Sequence, residues 1–251
     1  MDHYLPLVVA YLLCMAGWLL ANRLFPWVWP RAAVEAISSS WKELGFALLG
    51  ALGILVMGQF WSRGIRIPEQ GSFRPILASI NQMLIFSPIL LVLVIRRQPL
   101  TSAWLPRARL AIRLLIGVVL ASLALTAYSI LREGAAAPWV LFGRIWRYEN
   151  IDIMLQVFLE DLTIAILFVR LAGAIGARWA TAIVPCLFAA GHIPAMISQG
   201  ASWLELVGLL RDTGLGVAVI LVVQRSRDIV WFWVIHFCLD MTQFARISGV
   251  E

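Results

Sequence analysis

FLEDLTIAILFVRLAGAIGARWATAIVPCLFAAGHIP, Phe158 to Pro194, decides what kind of chain this is. Nearly every residue is apolar, and a bilayer-spanning helix needs about 20 such residues. Yet Glu160 and Asp161 stand side by side in the first apolar run, and the second closes on Phe188-Ala-Ala-Gly-His192. A later run holds His236-Phe-Cys-Leu-Asp240. A charge at the bilayer centre costs roughly 2.5–3.5 kcal/mol on insertion scales, so such residues turn to a protein interior and mark function. We read Glu160, Asp161, His192, His236 and Asp240 as candidates for one buried reaction site.

The rest of the 251-residue chain agrees with this reading. It is 61% hydrophobic and only 14% charged, where a soluble protein carries about 25% charged residues. This is the composition of a multi-pass membrane protein, expected in the cell membrane and, from its bacterial appearance, in a bacterial inner membrane. The net charge of +6 comes from arginines scattered through short loops with no basic block. That pattern fits loops against lipid headgroups and argues against a nucleic-acid partner. Cys14, Cys186 and Cys238 all sit in apolar runs without pairing or metal spacing and read as small buried hydrophobes. Met1-Asp-His-Tyr lacks the positive start of a secretory signal, and Leu13 before Cys14 argues against lipoprotein processing, so the first run is expected to stay as a helix. His3 reads as a terminal residue without a role.

Eight spans are predicted, near 5–22, 44–61, 76–95, 110–131, 151–171, 179–197, 204–223 and 229–245. The fold class is therefore an all-α transmembrane helical bundle, one integral membrane domain over 1–251 with its catalytic core in 151–245. Pro26, Pro30, Pro68, Pro99 and Pro106 punctuate the early loops, and 62–74 reads as a short polar connector. In alternate loops, one side collects twelve basic residues (Arg23, Arg31, Lys42, Arg96, Arg97, Arg107, Arg109, Arg113, Arg170, Arg178, Arg225 and Arg227). The other has seven: Arg63, Arg66, Arg74, Arg132, Arg144, Arg147 and Arg246. The bias puts both termini outside the cytoplasm. Arg211-Asp212 interrupts the seventh span. Either that helix begins near Thr213 after an interfacial stretch, or Arg211 lies within protein and pairs with an acid.

His236 and Asp240, four apart, share one helix face, as do Phe188 and His192, whose rings can then pack together. Glu160 and Asp161 diverge by about 100°, so Glu160, His192, His236 and Asp240 are the four side chains expected to converge. Such a set has two uses. Glu160 and a histidine can hold a water with Glu160 as general base, while the other histidine and Asp240 bind the oxyanion or position the carbonyl. Alternatively Glu160, His192 and His236 can bind zinc with an open water position. Both are hydrolysis of a carbonyl compound, and residue types alone leave the choice open. The bland alternatives are interhelical hydrogen bonding by the histidines and a proton or ion relay through the acids. Cys238, two residues from His236, points elsewhere on its helix and is a poor nucleophile candidate.

The order of these motifs resembles the CPBP family, the intramembrane CAAX-protease and bacteriocin-processing group of metalloproteases. That family shows E-E-x-x-x-R, then F-x-x-x-H, then H-x-x-x-N or H-x-x-x-D. Here Glu160-Asp161, Phe188-x-x-x-His192 and His236-x-x-x-Asp240 follow in the same order, with Pro194 two after the first histidine and Gln224-Arg-Ser-Arg-Asp-Ile-Val-Trp before the second. The resemblance covers roughly 151–245. It implies a helical intramembrane endopeptidase with a wet interior cavity, acting on a membrane-associated peptide or protein. A prenylated C-terminus, a leader peptide or a bacteriocin-like peptide are the substrates it suggests. By position Glu160 matches the family's water-activating glutamate, His192 the histidine sharing that water or a metal, and His236 with Asp240 the oxyanion pair. Phe188, Asp161 and Arg211 are supporting residues. The resemblance breaks in the first motif, where the second glutamate is Asp161 and the arginine position holds Ala165. Arg170 lies on the opposite face, so Arg211 is the expected partner of Asp161. A non-catalytic relative acting as an immunity or scaffold protein is the main alternative. A small solute or ion transporter is a weaker one, because the charged sites are confined to the second half.

Overall fold

Nine α-helices and no strand make up the described residues, 4–29, 40–134 and 138–242 of a computed structural model. They are α1 (Tyr4–Leu24), α2 (Ser40–Ser62), α3 (Arg74–Ile95), α4 (Leu110–Glu133), α5 (Pro138–Ile145), α6 (Ile151–Ile175), α7 (Ala177–Ser198), α8 (Trp203–Ser226) and α9 (Val230–Met241). His3, Pro30, Arg31, Arg246 and the expected end of the last span at 243–245 lie outside the described residues. Each of the eight expected runs is a helix, and α5 is an additional short one. Six helices, α1 to α4, α7 and α8, are long and apolar enough to cross a membrane. The other two expected spans differ for physical reasons. α6 carries Asp152, Glu160, Asp161 and Arg170, and α9 has 12 residues, about 18 Å of helix against a hydrocarbon core of about 30 Å.

α6 is the central post. It packs on α2, α3, α7 and α9, while α4 packs on α1 and α9 and α7 on α8. In lipid there is no hydrophobic drive between helices, so close van der Waals approach does the work. Gly117 lets α4 meet α9 at backbone distance, since a Cβ there would lie 2.7 Å from the Trp231 carbonyl oxygen. Trp231 in turn stacks on Trp18 of α1 at 5.3 Å between ring centres, and Trp29 closes edge-on at 5.6 Å.

Buried polar ties lock the arginine-rich end. Arg113, in the first turn of α4, pairs with Asp228 at 2.6 Å, and Trp29 Nε1 donates to the same carboxylate oxygen. Burial pushes the Asp228 carboxyl above the ordinary range, and Arg113, Trp29 and the Val230 N–H pull it back. Arg170 is fully buried and donates to the carbonyl and hydroxyl oxygens of Ser102, fastening α6 to the turn after α3. Arg96 caps α3 against Glu43 of α2. Arg113 and Arg170, counted above as loop arginines, are therefore interior residues. At the other end Asn81 holds the 62–74 connector through both Ile67 backbone groups and Glu69.

Two expectations are corrected here. α8 is one helix from Trp203, started by a capping box in which Ser202 and Glu205 bond reciprocally, and does not begin near Thr213. Cys14 and Cys238 are buried, but Cys186 is exposed on α7.

Candidate active site

Asp161 is the deepest of the candidates, only 3% exposed. A carboxylate at that depth needs a donor. Its partner is His236, whose Nδ1 lies 2.9 Å from Asp161 Oδ1, joining α6 to α9. One turn before His236, Trp233 Nε1 donates to the Met154 carbonyl and Phe158 meets the Trp233 ring edge-on at 5.4 Å. These contacts fix which residues of α9 face α6. Phe232 lies 5.5 Å from the His236 ring, and Tyr11 of α1 backs Phe232 at 6.5 Å.

Glu160, the next residue around the helix, is half-buried and takes a hydrogen bond from Gln156 Nε2 at 2.9 Å. One carboxylate oxygen is so held and the other is left for a further partner. His192 is exposed, its Nδ1 is 2.9 Å from the Phe188 carbonyl, and the Phe188 ring meets its edge at 4.7 Å, as the spacing predicted. A carbonyl oxygen only accepts, so the His192 proton sits on Nδ1 and the Nε2 lone pair faces outward. By the same logic, an ionised Asp161 holds a proton on His236 Nδ1, and Nε2 is turned away from that carboxylate. Asp240 lies within electrostatic reach of His236, Glu160 and His192. His236 is within reach of Glu160 as well. The Asp161–His236 bond thus joins α6 to α9 directly, and His192 of α7 is linked to them through the field of Asp240.

The arrangement differs from the expected one at Asp161. Its Oδ1 belongs to His236 and its Oδ2 has no hydrogen-bond partner among the described residues. Arg211 instead lies over the Tyr4 ring at 4.8 Å, tying α8 to the start of α1. Asp161 is thus the second carboxylate of the first motif but answers to an imidazole. Ala165, at the family's arginine position, is fully buried in core contacts. Gln156 and Tyr11 were missed in the sequence. Gln156 was legible from its four-residue spacing to Glu160, whereas a lone tyrosine in an apolar run gives no such signal.

Among the described residues no group of three or more His, Cys, Asp and Glu side chains is gathered so as to hold a metal ion. Glu160, His192 and His236, the expected zinc donors, are not gathered as a tetrahedral site would require. No family model, curated protein or solved structure matches the chain.

Proposed function

We propose that this chain is a multi-pass bacterial inner-membrane protein whose α6 and α9 lie within the bundle as the fifth and eighth spans, and that it is an intramembrane endopeptidase of the CPBP type. The observation that carries the reading is the Asp161–His236 hydrogen bond, with Glu160 and Asp240 within electrostatic reach of His236 and His192 within that of Asp240. Glu160, steadied by Gln156, takes a proton from a water shared with His192 Nε2. The hydroxide so formed attacks the peptide carbonyl carbon and its π electrons move onto oxygen. His236 Nε2, protonated while Asp161 balances its charge, donates to that oxyanion. Collapse breaks the C–N bond, and the proton on Glu160 passes to the leaving amine. The substrate class is a membrane-associated peptide or protein.

The test is a cleavage screen of membrane-associated peptides with purified protein in lipid. Wild type is expected to cleave, with Glu160→Gln losing about 10² to 10⁴ in kcat, the usual worth of a general base. Full activity in Glu160→Gln removes Glu160 from the mechanism. Metal analysis of wild type beside His192→Ala accompanies it, since bound zinc lost in the variant would restore the metal route.

A further inference from the structure

At the arginine-rich end, α7 starts beside the last turns of α8, and a groove of about 430 Å³ runs between them. It is lined by Arg178, Thr181 and Ala182 of α7 and by Val217, Leu221 and Gln224 of α8. Arg178 is exposed, and neither it nor Gln224 has a hydrogen bond or ion pair to a described residue. Among the described residues no carboxylate lines the groove. The start of α7 has no side-chain cap, so its first N–H groups add their positive field to Arg178. Trp179, 63% exposed, stands at the same level, where indoles anchor at a membrane surface.

We infer that this groove binds one anionic phospholipid. The phosphate is held by Arg178, Gln224 and the first turn of α7, and an acyl chain follows Ala182, Val217 and Leu221. Charge complementarity selects the headgroup, and the apolar trough beyond the reach of one phosphate selects a lipid over a free anion. Nearby, Gly216 of α8 sits tight against Pro185 of α7, so a lipid in the groove would splint the helix that carries His192.

The test is native mass spectrometry of the full chain in detergent, titrated with phosphatidylglycerol, phosphatidylcholine of the same chains, or inorganic phosphate. One phosphatidylglycerol is expected to be retained about fivefold more tightly than phosphatidylcholine, the worth of one basic residue at an anionic surface. Arg178→Gln is expected to abolish that preference, and Leu221→Trp to weaken both lipids by filling the trough. Arg225→Gln, at the same end but outside the groove, should change neither. Equal retention of the two lipids by wild type overturns the inference, as does an unchanged preference in Arg178→Gln or an equal loss in Arg225→Gln. Inorganic phosphate displacing phosphatidylglycerol at equal concentration would replace the lipid by a free anion.

Discussion

Glu160 and Asp161 are adjacent in sequence, and the turn of about 100° between successive helical positions gives them separate jobs. Asp161 is buried and holds His236, and Glu160 is half-buried and takes a hydrogen bond from Gln156. That division makes an expected outcome at this scale. Asp161→Asn keeps the shape but offers His236 an amide in place of an anion. Cleavage is expected to fall by about 10², with KM little changed, and steady-state kinetics on the cleaved peptide check it. Arg211→Gln, by contrast, is expected to leave kcat within about threefold, because its guanidinium lies on Tyr4. The sequence marked these residues as a site, since ionisable groups in apolar runs are costly to insert and are kept where they have a role. It did not show which carboxylate took the histidine. That depends on how α9 is rotated against α6, and the Trp233 and Phe158 contacts that set the rotation join residues 75 apart.

Among the helices, α4 and α9 depend on the absence of a side chain at Gly117. The Trp231 carbonyl that a Cβ would strike is backbone and cannot swing aside. Gly117→Ala is expected to cost about 1–3 kcal/mol in denaturant unfolding, where Gly58→Ala, with open space around it, costs nothing measurable. The Arg113–Asp228 pair does similar work by charge. Asp228→Ala leaves a guanidinium buried without its carboxylate, and about 3–5 kcal/mol of stability is expected to go. Arg113→Leu on top of it should recover part of that loss, a recovery that a thermal-unfolding double-mutant cycle measures. Helix positions were legible from apolar runs alone. The Ser202–Glu205 capping box was also in the sequence but was overshadowed by Arg211-Asp212, whose charges suggested a break. Arg113 and Arg170 looked like loop residues because their partners, Asp228 and Ser102, are 115 and 68 positions away.

The whole molecule is a bundle in which α6, with its four charged residues, and the short α9 lie among six helices long and apolar enough to cross a membrane. Polar ties concentrate at the arginine-rich end. The C-terminal half of α7 and the N-terminal half of α8 bury almost nothing. His192 sits on that less buried part, whereas Asp161 and His236 stand on the tightly packed α6 and α9. The carboxylate–imidazole bond between α6 and α9 is the tie on which the proposed chemistry depends. The most direct measurement is solid-state ¹⁵N NMR of histidine-labelled protein in lipid, wild type beside Asp161→Asn. The expected result is a His236 Nδ1–H resonance shifted by its hydrogen bond in wild type and displaced in the variant, with the His192 signals unmoved. A His236 spectrum indifferent to Asp161→Asn would contradict the account at its centre.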